Sequence, residues 1–190
     1  MSLSEKLKEE TKPYHQNVEK RLIKELKKIS TLQQYALLLN KLYMFYEPIE
    51  VKIHEIIDDT LIPDINNRYH TKRLYNDLSA INNVCTITQK PDLFPISNSS
   101  YAIGVLYVIE GSTLGGQIIT SMLEKKLQLK ENDSCVTSYF NSYNKDTNLM
   151  WSNFKNYLFT SSKYIDEQQA VLGAKNTFKA LENWLLIASV

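Results

Sequence analysis

Apolar residues recur three and four positions apart along nearly the whole of this chain, and no stretch alternates apolar with polar as a half-buried strand would. That pattern requires amphipathic helices packed around a shared core. Leu7, Thr11, Val18, Leu22 and Leu26 make the first apolar stripe. Ser4 is its candidate cap, and Pro13 is expected to kink or restart the helix. A second helix follows Ser30 or Thr31, carries Tyr35, Leu38, Leu39, Leu42, Tyr43 and Tyr46, bends at Pro48 and runs through Ile57. A third covers roughly Tyr69 to Ile81. Residues Cys85 to Ser97, with Pro91 and Pro95, read as a loop. Ser99 or Ser100 then caps a long helix reaching about Leu127. Polar residues Lys130 to Asp146 surround a short helix over Val136–Phe140, and two helices, about Thr147–Leu158 and Asp166–Ile187, finish the chain. There is no internal repeat and no linker long enough to divide domains. The expectation is an all-α, single-domain, multi-helix fold over residues 1–190.

Charge narrows the partners. The chain carries a net charge of +1, which gives no footprint for nucleic acid. The lysines from Lys20 to Lys28 alternate with Glu and apolar residues, as on a solvated helix face rather than an anion-binding patch. Met1–Glu10 is too charged for a signal peptide. The most apolar run, Tyr101 to Ile109, is shorter than the roughly 20 residues a membrane span needs. Cys85 and Cys135 lack a metal-type spacing and read as reduced thiols. The expectation is a cytoplasmic protein that does not enter a membrane.

Three of the five glycines fall within six residues, in Tyr107-Val108-Ile109-Glu110-Gly111-Ser112-Thr113-Leu114-Gly115-Gly116-Gln117, inside the long helix. Each glycine in a helix interior costs about 1 kcal/mol relative to alanine. No phosphate-loop pattern surrounds them. Gly111 and Gly115 form Gly-x-x-x-Gly, which supports close helix packing. The other reading is a helix lying over a planar ligand, with bare backbone at the contact. Spacing alone leaves both open.

The chain has three histidines. Thr11, His15 and Glu19 stand four apart and share a helix face. Glu19 is placed to reach the His15 ring directly or through a water, and a carboxylate partner orients a ligating imidazole. The same spacing also describes an ordinary surface His–Glu pair. His54 and His70 read as non-catalytic. No Glu-x-x-His pair or His/Cys cluster points to a di-iron or zinc site.

Together these features resemble the haem oxygenases. Leu7-Lys8-Glu9-Glu10-Thr11-Lys12-Pro13-Tyr14-His15-Gln16-Asn17-Val18-Glu19 resembles that family's proximal helix. Leu106 to Gly116 is similar to the distal helix of its bacterial, bacteriophytochrome-associated branch. Further landmarks agree in order: Tyr35 to Glu50, Arg73-x-x-x-Asp77-Leu78, Ser138-Tyr139-Phe140, Met150-Trp151-x-x-Phe154 and Phe178 to Leu185.

The resemblance implies haem held between a proximal and a glycine-kinked distal helix, with His15 on the iron. Gly111, Gly115 and Gly116 would let the distal backbone approach the haem. Lys8 and Lys155 would meet propionates, while Thr11, Glu19, Tyr107 and Phe178 would line the pocket. Haem would be opened by O₂ to biliverdin, CO and Fe²⁺, with electrons from a ferredoxin or an NAD(P)H-dependent reductase. A bacteriophytochrome would be a downstream partner. Mammalian members carry an Asp after the first distal glycine, where it organises water; here that residue is Ser112. That departure keeps a second reading in view, a haem-binding or sensor protein without turnover. A third is a helical interaction domain in which the glycines only pack helices.

Overall fold

The computed structural model describes residues 1–81, 87, 89–129 and 136–187, and every regular element among them is helical. Cys85 and Cys135, read above as reduced thiols, lie outside the described residues. Helix α1 spans Leu3–Lys28 and is capped by Ser2, not Ser4. Ser2 and Glu5 form a reciprocal capping box, with the Ser2 N–H donating to Glu5 Oε2 at 2.7 Å. The expected restart at Pro13 does not occur, and the helix continues through it. Proline removes the hydrogen bond to residue 9, but Glu9 and Pro13 are both exposed, so water can satisfy the freed carbonyl. Leu7, Thr11 and Val18 stay buried on the opposite side.

Helix α2 (Leu32–Ile56) is capped by Thr31 and runs on through Pro48. A short 3₁₀ turn, Ile65–Asn67, leads to α3 (Thr71–Ile81). This helix begins at Thr71 rather than Tyr69 for a reason supplied from α2. The buried Glu50 carboxylate accepts the His70 N–H at 2.8 Å and the Thr71 N–H at 2.9 Å, and also the Thr71 hydroxyl. A carboxylate there satisfies orphan donors and opposes the helix dipole. Farther along α3, Asp77 takes the backbone N–H groups of Ser138 (3.0 Å) and Tyr139 (2.9 Å). The expected Val136–Phe140 helix is replaced by bend and turn over residues 137–140. Their donors point to Asp77 instead of along a helix.

Asn98, rather than a serine, caps α4 (Ser99–Ser112), accepting the Tyr101 N–H at 2.9 Å. From Ser100 to Glu110 every residue of α4 is buried, so it is the central helix. The glycine segment breaks the α ladder into a 3₁₀ turn, Thr113–Gly115, before α5 (Gly116–Leu127). The α4–α5 run, Ser99–Leu127, is long and apolar enough to cross a membrane, which corrects the shorter estimate from Tyr101–Ile109. Half of its most apolar stretch is buried within the fold, as in a core helix.

A further 3₁₀ turn, Asn144–Asp146, precedes α6 (Thr147–Thr160), and α7 (Glu167–Leu186) follows. Both α1 and α4 pack along α7. The α4–α7 seam is closed by glycines outside the cluster. A Cβ on Gly104 would lie 1.8 Å from the Ala170 carbonyl oxygen, and one on Gly173 would lie 2.2 Å from that of Tyr101. The close-packing role considered for Gly111 and Gly115 thus belongs to Gly104 and Gly173. The buried Trp184 indole ties α7 to α2 by donating to the Lys41 carbonyl at 2.8 Å.

Candidate functional site

A cavity of about 660 Å³ opens between α1 on one side and the α4–3₁₀–α5 run on the other. That is within the usual range for ligand pockets, about 300–1,000 Å³. Residues far apart in sequence converge on it. From α1 come Lys8, Thr11, His15 and Glu19; from the glycine segment come Tyr107, Gly111, Ser112 and Gly115. Lys155 of α6 and Phe178 of α7 complete the set singled out above, with one exception.

The exception is Gly116, which is buried and absent from the wall. A Cβ there would meet the Phe140 carbonyl oxygen at 1.8 Å, so its missing side chain admits the 137–140 turn rather than a ligand. Gly115 is the reverse case, with nothing within 4 Å of a would-be Cβ. At Gly111 the nearest atom is Trp151 Cη2 at 3.8 Å, an ordinary contact. No glycine adopts a positive φ. Gly115 therefore faces open space and Gly111 the Trp151 ring, and backbone strain accounts for neither.

His15 faces this space across from the glycines. Its ring lies 5.5 Å from that of Phe178, tilted by 41°. Among the described residues its nitrogens take no hydrogen bond, so the imidazole is free to act as a ligand. Glu19 also reaches the wall and forms no direct hydrogen bond with His15. Its carboxylate is exposed. The Thr11 hydroxyl is turned inward, donating to the Leu7 carbonyl at 2.7 Å. Lys8 and Lys155 are both exposed where they border the cavity, which suits contact with anionic groups. Tyr107 is buried and packs on Trp151 with ring centroids 5.5 Å apart.

Behind the glycine-bearing wall lies a buried polar network that periodicity did not reveal. Glu110, 1% exposed, accepts from Arg68, from His70 Nε2 at 2.9 Å and from the Tyr143 hydroxyl at 3.0 Å. Arg68 is fully buried and also holds Asp64 through two bonds, at 2.6 and 2.8 Å. Burial alone would raise the Glu110 carboxyl, but its His70, Arg68 and Tyr143 partners hold it below its ordinary value of 4.5. The Tyr143 phenol moves the other way, raised by burial and by the charge of Glu110.

His70, read above as non-catalytic, reaches the cavity wall beside Tyr139 and Ser142. The signal for the network was Glu110 itself, an acidic residue within a helix otherwise apolar all round. His54 lies elsewhere, stacked on Tyr69 with centroids 3.5 Å apart. Ser112 borders the cavity, but its hydroxyl donates to the Ile109 carbonyl at 2.6 Å. Its hydrogen is therefore already in use.

Comparison with known proteins agrees with this architecture. The heme oxygenase family matches residues 1–186 of the chain. No curated protein matches it. Among solved structures it is similar to the NO- and CO-bound heme oxygenase from Neisseria meningitidis, with a TM-score of 0.79 and 18% identity, over 100% of this chain and 94% of that one. It is also similar to heme oxygenase from Leptospira interrogans, with a TM-score of 0.75 and 21% identity, over 97% and 98% respectively.

Proposed function

Because this chain belongs to the haem oxygenase family, we propose that it binds haem in the α1–α4/α5 cavity and oxidises it to biliverdin, CO and Fe²⁺. The observation that carries this reading is the pairing across one slot of an unbonded His15 imidazole with the open space over Gly115, beside Gly111 on the same wall. A flat ligand with a metal at its centre needs both. Bound haem supplies the iron that activates O₂ and the ring that is opened, with electrons from a ferredoxin or an NAD(P)H-dependent reductase.

The protein's own residues bind and orient. His15 holds the iron from α1. Lys8 and Lys155 pair with propionates at the exposed rim, which sets the rotation of the ring in the slot. Tyr107 and Phe178 give the ring apolar and aromatic contact. Gly111 and Gly115 keep the opposite face low, leaving room for a small molecule and little else. We read residues 1–190 as one cytoplasmic domain of the bacteriophytochrome-associated branch, with a bacteriophytochrome as the acceptor of the product.

Reconstitution tests the proposal. The purified chain should develop a Soret band with haem, and His15→Ala should lose it. Supplying electrons in air should bleach that band as biliverdin appears. A stable band with no biliverdin would instead favour the second reading, a haem sensor without turnover. What favours that reading is the Ser112 hydroxyl, whose hydrogen is committed to Ile109 and is not offered to cavity water.

A further inference from the structure

Helix α1 lacks one backbone hydrogen bond next to His15. Pro13, two residues earlier, has no N–H to give the Glu9 carbonyl. A missing rung lets a helix bend, and a bend there would swing the imidazole. Among the described residues no direct hydrogen bond holds the His15 ring, although such a bond is the usual means of orienting a ligating imidazole. A ligand still has to present its nitrogen in one direction. The structure supplies that constraint from α7.

Helix α7 grips α1 on both sides of Pro13. Before it, Lys6 pairs with Glu167 at 2.7 Å and Glu10 with Lys175 at 2.6 Å. After it, Lys179 Nζ lies 5.3 Å from the centroid of the Tyr14 ring, and Phe178 packs on His15 with ring centroids 5.5 Å apart. The contacts climb both helices in the same direction and bracket the missing rung. Exposed ion pairs contribute little singly, so the first two set the register and the ring contacts set the direction. A centroid separation of roughly 4.5–7 Å is the range over which aromatic rings attract. Phe178 is buried and His15 is exposed, so a fixed ring bears on a free one. The Phe178 base is rigid, because Gly173 seats α7 directly against the Tyr101 carbonyl of α4. A ring contact also leaves both imidazole nitrogens open, which a hydrogen-bonding partner does not.

We propose that Phe178 is the positioning residue for His15, and that Lys179, by holding Tyr14, keeps α1 from bending at Pro13. Phe178 lines the cavity and Lys179 does not, so the two are testable apart. The consequence is pre-organisation: haem meets an imidazole already aimed, and binding does not have to order it. That consequence rests on the haem-binding reading; the hold on the imidazole does not.

NMR of the haem-free protein with labelled histidine reads the hold directly. The His15 ring protons should show a nuclear Overhauser contact with the Phe178 ring, and shifts displaced from those of free histidine. Phe178→Leu should return the shifts to free values, and Phe178→Tyr should keep them displaced. Free-histidine shifts and no contact in the unsubstituted chain would overturn the assignment, whether or not Phe178→Leu folds. In the haem-loaded protein with cyanide, the spread of haem methyl proton shifts follows the plane of the axial imidazole. That spread should change in Phe178→Leu and persist in Phe178→Tyr; an unchanged spread in Phe178→Leu would overturn the positioning role. Lys179→Ala should leave circular dichroism unchanged and speed haem loss to an apo-globin trap by about two- to fivefold, the factor an exposed cation–π contact supplies. Unaltered haem loss would overturn the part assigned to Lys179. If the unsubstituted chain bound no haem while its His15 shifts stayed displaced, the functional reading would fail and the Phe178 assignment would stand.

Discussion

A methyl group added at Gly116 would sit 1.8 Å from a backbone oxygen, whereas one added at Gly115 would meet nothing within 4 Å. Adjacent glycines therefore predict opposite outcomes. Gly115→Ala should stabilise the haem-free fold by about 0.5–1 kcal/mol, the ordinary helical preference for alanine. Gly116→Ala should destabilise it by roughly 1–3 kcal/mol, as overpacking against an immovable backbone does. Urea titrations of the two variants check the sign. Gly115→Leu should leave circular dichroism unchanged and abolish the haem-induced Soret band; normal haem uptake would remove Gly115 from the proposed slot. The sequence displayed these glycines but could not assign them. Their directions depend on the Thr113–Gly115 turn, because a 3₁₀ step rotates a residue by about 120° instead of 100°. That local change sends Gly115 toward the cavity and Gly116 toward Phe140.

At the scale of elements, α3 owes its start to a residue on α2. Glu50→Ala should destabilise the protein by about 2–4 kcal/mol, since it strands the buried N–H groups of His70 and Thr71. Hydrogen exchange should show the first turn of α3 opening before the rest. Glu110 gives the pH dependence. Its folded-state carboxyl titrates below its ordinary value, so its stabilising contribution is complete above about 4.5 and is lost as pH falls through the depressed value. Acid unfolding of Glu110→Gln should accordingly have a flatter dependence below pH 4.5 than that of the unsubstituted chain. Helix order and length were legible, because apolar spacing reports which face is buried. Pro13 did not restart the helix: α1 runs through it, and the Glu9 carbonyl it frees lies on an exposed face where water can satisfy it, a matter of exposure. Glu110, acidic in an apolar helix, was the one sign of the polar network; its partners Arg68, His70 and Tyr143 were illegible because tertiary contacts alone bring them to it.

For the molecule as a whole, a ligand that binds only the folded state stabilises it by mass action. Haem at a hundredfold excess over its dissociation constant should add about 2.7 kcal/mol and raise the melting temperature by roughly 5–10 °C. Calorimetry with and without His15→Ala tests whether that gain passes through the proposed ligand. The two walls of the cavity make few contacts with each other; each is seated on α7, α1 along one flank and α4 along another. The gap between them is consequently gauged by a third body. On the α4 flank the gauge is set by Gly104 against Ala170 and Gly173 against Tyr101, none of which lines the cavity. One added methyl in that seam would act as a shim, re-spacing the jaws of the slot without altering any residue inside it. Tolerance for thicker or thinner flat ligands is thus tunable from a seam that no ligand touches.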